Sequence, residues 1–233
     1  MRITPLGDTA LIIEIGEKID EPTHHRVQAA TRLLDAANLP GVWEAVPAYT
    51  TVTLFYDPLK TAAAAGGDPV GWLGAKAAET LAKLPRAGNG KGGRRVEIPV
   101  CYGGEFGPDL EEVAQRTGLA AQEVARRHAA ADFLVYVIGF APGFPYIGGL
   151  PAELALPRRP TPRTKVPPGS VGIVNDQTCI YPLATPGGWN LIGRTPTKLF
   201  RPQQDPPVFL QAGDHVRFRA ISPEEFRALE AGA

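Results

Sequence analysis

The sequence predicts an α+β protein with a small α/β-sandwich domain in its N-terminal part and a β-barrel in its C-terminal part. Three observations lead to this prediction. Strand-like and helix-like patterns alternate before residue 86, and a glycine-rich stretch follows them. Beyond that stretch, 14 of the 24 prolines fall between Pro142 and Pro207. Because proline interrupts regular helix, this region is expected to form short strands joined by turns.

The N-terminal part contains two similar blocks. In the first, ALIIEIG (residues 10–16) is strand-like, and residues 22–37 are helix-like because Val27, Ala30 and Leu34 recur at helical spacing. In the second, residues 42–57 contain two strand-like runs and residues 69–84 are helix-like. Helices that cover one face of a sheet are typical of a small α+β sandwich. We therefore predict a first domain over residues 1–85.

A connector and a second domain follow. The connector RAGNGKGG (residues 86–93) has four glycines and no large apolar residue, which is typical of an exposed linker. The second domain is predicted over residues 94–233, with strand-like runs RRVEIPVCYGG, DFLVYVIGF, SVGIV, TCIYPL, WNLIGRT and HVRFRAI. GPDLEEVAQRTG, AAQEVARRHAA and SPEEFRALE predict helices, and Ser222 is the expected N-cap of the last one.

Composition excludes several classes of protein. The 24 basic residues balance the 24 acidic ones, so a general attraction to nucleic acid or to an anionic membrane is not expected. No apolar run approaches the ~20 residues of a membrane span, and the N-terminus lacks the layout of a signal peptide. The two cysteines lie far apart and only four histidines are present, so a metal cluster is not predicted. We expect a cytoplasmic protein.

The stretch IGFAPGFPYIGGLP (residues 138–151) combines glycines and prolines with aromatic rings. Prolines fix the backbone, glycines permit turns, and rings supply contact area, which together predict a rigid loop after a strand. Aromatic residues are enriched at protein interfaces. Phe144 and Tyr146 are therefore the predicted anchors for a partner protein.

The run that follows this loop predicts an anion site. No acidic residue occurs between Leu154 and Asn175, whereas Arg158, Arg159, Arg163 and Lys165 all do. Closely spaced cations on a stiff backbone are suited to carboxylate or phosphate, and Arg163, Lys165 and the later Arg194 are the predicted anion ligands. Mixed polar and aromatic side chains typical of a small-molecule pocket are predicted at Gln177, Tyr181 and Trp189. The sequence identifies no catalytic residue.

The second half contains five strings that resemble a known family: CYGGEFGPDLEEVA, VYVIGFAPGFPYIGGLP, PRRPTPRTKVPPGSVGIV, QTCIYP and PGGWNLIGRTP. Members of that family are named as the B subunit of 5-oxoprolinase, as allophanate hydrolase subunit 1 and as Kip-type kinase inhibitor. The resemblance implies that the C-terminal barrel is cyclophilin-like. Cys179 departs from the family pattern, in which glycine is expected. A buried, inert thiol is the favoured interpretation of Cys179.

The resemblance leaves three activities open. The first is a subunit of an ATP-dependent 5-oxoprolinase, which opens 5-oxoproline to glutamate together with its A and C subunits. The second is inhibition of a sensor histidine kinase, and the third is carboxyl transfer, as in biotin-dependent urea carboxylase. The first is favoured, because the cationic and polar residues exceed what protein docking requires.

The chain alone lacks the usual machinery for this chemistry. GNGKGG does not complete a phosphate loop, and Ser170 lacks the surroundings of a nucleophile elbow. ATP is therefore expected to be used only with the partner subunits, and the chain is expected to be inactive alone. His128 is predicted to stabilise the end of a helix as a cation rather than to act as a general base.

Overall fold

The computed structural model describes residues 1–85 and 93–232. The chain separates into two compact units, with the boundary between Gly92 and Gly93. The predicted connector lies almost wholly outside the described residues, since only its last residue, Gly93, is among them. The two units are described one after the other.

The N-terminal unit consists of a four-stranded antiparallel sheet and three helices. Its strands lie in the order β1-β2-β4-β3. The elements are β1 (Ile3–Pro5), β2 (Ala10–Glu14), α1 (Glu21–Ala36), β3 (Val42–Ala48), β4 (Thr51–Tyr56), α2 (Pro58–Ala65) and α3 (Pro69–Leu81). Strict alternation of burial along β4 directs Val52, Leu54 and Tyr56 into one core with Val27 and Leu34 of α1. This unit therefore has the predicted arrangement of helices packed on a sheet.

All three helices of this unit begin in the same way. An aspartate occupies the N-cap position and a proline follows in the first turn. The Asp20 side chain accepts a hydrogen bond from the Thr23 amide at 2.8 Å, and the Asp68 side chain accepts one from the Gly71 amide at 3.0 Å. These contacts satisfy amide groups that have no partner within the helix, and so they fix where each helix starts.

The C-terminal unit is built on a closed barrel of seven strands in the order β10-β7-β6-β13-β5-β12-β9. Its elements are β5 (Arg95–Tyr102), α4 (Leu110–Thr117), α5 (Ala121–Ala130), β6 (Phe133–Ile138), β7 (Pro145–Gly148), a 3₁₀ turn (Ala152–Leu154), β8 (Arg163–Val166), β9 (Ser170–Val174), β10 (Gln177–Ile180), β11 (Thr185–Gly187), β12 (Asn190–Arg194), β13 (His215–Ala220) and α6 (Pro223–Ala231). Strands β5 and β13 pair in parallel, and β8 pairs with β11 in a separate two-stranded ribbon. The predicted barrel is confirmed.

His128 of α5 lies fully buried against the rings of Phe133 and Phe218. Its Nδ1 lies 2.8 Å from the Tyr102 hydroxyl, and its Nε2 lies 3.0 Å from Oγ1 of Thr178. Since the Thr178 hydroxyl donates to the carbonyl of Gly172, it accepts from Nε2, and Nδ1 accepts from Tyr102. Burial lowers the pKa of His128 to about 3. The expected cationic role at the helix end is therefore wrong, because the imidazole is neutral.

The C-terminal helix begins as predicted. The Ser222 hydroxyl accepts a hydrogen bond from the Glu225 amide at 3.2 Å, and Pro223 follows the cap. None of the helices in the described parts of the chain combines the length and the apolar character needed to cross a membrane.

Candidate functional site

A cavity of about 340 Å³ opens on the surface of the C-terminal unit, where the loop between β6 and β7 meets the β8–β11 ribbon. Its walls combine aromatic rings with two arginines, two prolines and two glycines. The lining residues are Phe140, Phe144, Tyr146, Arg158, Arg159, Pro162, Tyr181, Pro186, Gly187, Gly188 and Trp189. A volume of this size lies at the lower end of the ~300–1,000 Å³ found for ligand pockets.

The β6–β7 loop is held in one shape by its own backbone. The amide of Gly139 donates to the carbonyl of Phe144 at 3.0 Å, and the amide of Phe144 donates to the carbonyl of Ala141 at 3.0 Å. Within this turn Phe140 has a φ of +70°, a conformation that side chains other than glycine seldom adopt. Phe140 is 66% exposed, whereas Phe144 is only 2% exposed. The loop therefore presents Phe140 outward and buries Phe144.

Four rings form the apolar floor of the cavity. Phe144 lies edge-on to Tyr181 with ring centroids 5.1 Å apart, and it also contacts Tyr146 at 4.9 Å. Tyr146 lies 6.3 Å from Trp189. Burial raises the pKa of both Tyr181 and Tyr146, so both remain neutral phenols near pH 7. Gly187 is required beside Tyr181, because a Cβ at that position would lie 2.2 Å from the tyrosine hydroxyl.

The two arginines of the cavity differ in their charge balance. Arg159 donates to Glu112 at 2.7 Å and to Asp109 at 3.1 Å, and the hydrogen bond to Glu112 is the main cause that raises its pKa. Arg158 is exposed and has no ion-pair partner among residues 1–85 and 93–232. The cavity therefore carries one neutralised guanidinium and one with unused positive charge.

The structure brings together four of the eight residues singled out in the sequence. Tyr181, Trp189, Phe144 and Tyr146 line the cavity, although the last two were predicted as partner anchors. The other four do not line it, and their binding role stays a prediction. These are Arg163 and Lys165 on β8, Gln177 on β10 and Arg194 on β12.

The premise that the cationic run lacks compensating charge is wrong for Arg163. Its guanidinium donates to Asp109 at 2.6 Å, and Asp109 comes from the start of α4, outside the run. Arg194 lies over the ring of Phe106 at 5.8 Å. Arg158 is the cation at the cavity that the sequence prediction passed over. The run without acidic residues indicated a cationic site, but the sequence alone did not show which of its cations lacks an ion-pair partner.

The burial of Phe144 also bears on its predicted role as an anchor for a partner protein. A residue with 2% exposure offers almost no surface to a partner. Phe140, which the sequence prediction did not select, is the exposed ring of this loop.

The thiol of Cys179 is fully buried beneath the cavity, and burial raises its pKa well above the usual value. A protonated, inaccessible thiol is a poor nucleophile, as expected. Ser170 is also buried. Within the two described ranges, no group of three or more His, Cys, Asp or Glu side chains is arranged to hold a metal ion.

The closed seven-stranded barrel places the chain among the small β-barrel proteins, and the aromatic, arginine-lined cavity is its candidate ligand site. Residues 1–210 match the model of the carboxyltransferase domain, subdomain C and D, and the chain belongs to this family. The chain is 46% identical over 231 residues to the 5-oxoprolinase B subunit of Bacillus subtilis, a match that covers 97% of this chain and 95% of the relative. It is 42% identical to the protein of the same name from Escherichia coli O157:H7, over 91% of this chain and 93% of the relative.

Solved structures support the same assignment. The crystal structure of TTHA0988 superposes with a TM-score of 0.77 at 37% identity, and the match covers 91% of this chain but 40% of TTHA0988. An uncharacterized protein, PH0987 from Pyrococcus horikoshii, matches at 39% identity and a TM-score of 0.56, over 97% of this chain and 100% of that protein. The K. lactis urea amidolyase shares the fold alone, with a TM-score of 0.78 at 20% identity, over 97% of this chain and 15% of that protein.

Proposed function

We propose that this chain is the B subunit of an ATP-dependent 5-oxoprolinase, which opens 5-oxoproline to glutamate together with the A and C subunits. Two curated relatives named as the B subunit of 5-oxoprolinase, each matched over more than nine-tenths of this chain, support this role. The observation that carries the proposal is the cavity beneath the β6–β7 loop, because its size and chemistry fit the substrate.

The fit follows from the groups that 5-oxoproline presents. The substrate is a five-membered lactam ring with one carboxylate. The floor formed by Phe144, Tyr146, Tyr181 and Trp189 suits the ring, and the unpaired guanidinium of Arg158 suits the carboxylate. This chain then binds and orients the cyclic substrate.

The cavity suits ATP less well than it suits 5-oxoproline. A volume of about 340 Å³ with a single unpaired cation suits a small acid better than a nucleoside triphosphate. We therefore assign no step that involves ATP to this cavity. We assign the use of ATP to the assembly with the A and C subunits.

The experiment is co-expression with the A and C subunits, followed by an assay of ATP-dependent glutamate formation from 5-oxoproline. In Arg158→Ala, the loss of a charged hydrogen bond, often worth ~1.5–3 kcal/mol, should raise KM by about one to two decades. Lys165→Ala is the matched control, because Lys165 is an exposed cation nearby in sequence that does not line the cavity.

An unchanged KM in Arg158→Ala would contradict the assignment of the carboxylate site. An equal effect of Lys165→Ala would favour the anion site predicted from the sequence. An assembly that forms no glutamate would contradict the proposed function itself. Carboxyl transfer and binding to a histidine kinase would then be the activities to test.

A further inference from the structure

Asp109 occupies the N-cap position of α4 but does not cap it. No side-chain hydrogen bond joins its carboxylate to the first turn of the helix, although Asp20, Asp57 and Asp68 all cap their helices in this way. An N-cap hydrogen bond is worth about 1 kcal/mol. The carboxylate of Asp109 therefore makes other contacts in place of the cap. Residues that depart from a local structural rule in this way are expected near functional sites.

The carboxylate of Asp109 instead joins three separate parts of the barrel unit. It is only 3% exposed. Oδ2 accepts from the Leu191 amide at 2.7 Å, and Oδ1 accepts from Arg163 at 2.6 Å and from Arg159 at 3.1 Å. The backbone strengthens the junction, since the Asp109 amide donates to the Leu191 carbonyl at 2.9 Å.

Each of these partners either lines the cavity or lies next to a residue that lines it. Arg159 lines it directly, and its amide donates to the carbonyl of Gly188 at 2.8 Å. Arg163 pairs across the ribbon with Gly187, which also lines it. Leu191 lies two residues after Trp189. The buried carboxylate of Asp109 is thus connected to Arg159, to the β8–β11 ribbon and to the segment that carries Trp189.

We propose that Asp109 is a positioning residue for the substrate cavity: it holds Arg159, Arg163 and the chain at Leu191 in register and neutralises Arg159, so that Arg158 is the cation left for the substrate carboxylate. This inference rests on the proposed function for the identity of the substrate. The arrangement itself does not depend on that identity.

Another buried carboxylate of the C-terminal unit, that of Asp214, provides a matched control for Asp109. Asp214 is 4% exposed and accepts from Arg94 at 3.0 and 2.6 Å. It also accepts from the Gln211 amide at 2.8 Å. Asp214 therefore has the same burial and the same types of donor as Asp109, but neither it nor Arg94 lines the cavity. Asp109→Asn and Asp214→Asn make the same chemical change in two similar environments.

The kinetic test compares both variants in the assembly with the A and C subunits. Asp109→Asn should raise KM for 5-oxoproline about tenfold with kcat within about threefold, because loosened walls weaken ground-state and transition-state binding alike. Asp214→Asn should leave KM unchanged. A fold that is merely less stable would lower the active fraction and so kcat, not raise KM. Glu112→Gln removes an exposed carboxylate that pairs with both Arg159 and Arg116. Because Arg159 is then held less firmly, KM should rise about threefold, which keeps the test usable if Asp109→Asn fails to fold.

A second measurement separates this inference from the proposed function. In the isolated, ¹⁵N-labelled chain, the indole N–H resonance of Trp189, assigned with Trp189→Phe, should shift in Asp109→Asn or Glu112→Gln and stay in place in Asp214→Asn. If the wild-type assembly does not convert 5-oxoproline, the function is wrong and this resonance still tests Asp109. If the Trp189 resonance does not move, or if Asp214→Asn changes KM or the resonance as much as Asp109→Asn, the positioning role is overturned.

Discussion

His128 shows at the scale of one residue how a buried polar group makes stability depend on pH. Its folded pKa of about 3 lies below the ordinary value of 6.5, so the unfolded chain binds the proton more tightly. The contribution of the neutral imidazole is complete above pH 6.5 and is lost as the pH falls toward 3. At roughly 1.4 kcal/mol per unit, the free energy of unfolding should fall by about 2–3 kcal/mol between pH 6.5 and about 4.5 from this group alone.

Urea denaturation at several pH values tests this prediction. The variant His128→Gln keeps groups that can bond to Tyr102 and Thr178 but does not titrate. Its unfolding free energy should therefore depend less on pH over this window than that of the wild type. Equal slopes in the two proteins would show that His128 does not cause the acid sensitivity.

The sequence predicted part of the lining of the candidate cavity at residue level. Tyr181 and Trp189 could be recognised because mixed polar and aromatic types in a turn-rich region are typical of a pocket. The choice of Arg163 over Arg158 failed to anticipate Asp109, because that carboxylate lies 54 residues from Arg163 along the chain. A charge balance depends on contacts in space, and a local run of cations does not reveal its distant partners.

At the scale of an element, the β6–β7 loop is where we expect a partner to dock. Its backbone holds Phe140 at a φ of +70° and directs an exposed ring outward at the edge of the cavity. Strained conformations persist where the surroundings fix them, and they cluster at functional sites. In Phe140→Ala, affinity for the companion subunits should fall more than roughly tenfold, as for an aromatic hot spot.

The stability of Phe140→Ala should stay within about 1 kcal/mol of the wild type, because an exposed ring contributes little to folding. Trp43→Ala is the control, since Trp43 is an exposed ring outside the loop. Affinities are measured with purified subunits by isothermal titration calorimetry. Unchanged binding in Phe140→Ala, or an equal loss in Trp43→Ala, would refute docking through this loop.

Most elements that carry a start signal or a periodic pattern in their own sequence were predicted. Very short strands that depend on a neighbouring strand were missed. Helix α6 was expected from Ser222 and Pro223, and the capping contact is present. Helix α2 was not expected, although Asp57 and Pro58 carry the same start signal, because its short alanine run lacks a hydrophobic period. Strands β7, β8 and β11 were missed for another reason. They are three or four residues long and exist because a partner strand lies beside them.

At the scale of the whole molecule, the comparison with TTHA0988 bears on how the chain works. The match covers 91% of this chain but 40% of TTHA0988, so a related sequence occurs there within one longer polypeptide. The match to the Bacillus subtilis relative, by contrast, covers 95% of that protein. The same region thus occurs both with and without a long further segment among these proteins, and this supports the proposed subunit role. The exposed rim of the cavity, which carries Phe140 and Arg158, is suited to contact with a further subunit.

We therefore predict that the isolated chain is catalytically silent and that turnover appears only with the A and C subunits. A stable complex of this kind should bury more than roughly 1,000 Å² in total, enough to survive size-exclusion chromatography. The measurement is molar mass by light scattering together with ATP-dependent glutamate formation, for the chain alone and for each combination of subunits. Heat-denatured chain mixed with the A and C subunits is the control for activity that those two carry by themselves. Conversion of 5-oxoproline by the isolated chain would refute the prediction, as would full activity of the A and C subunits without it.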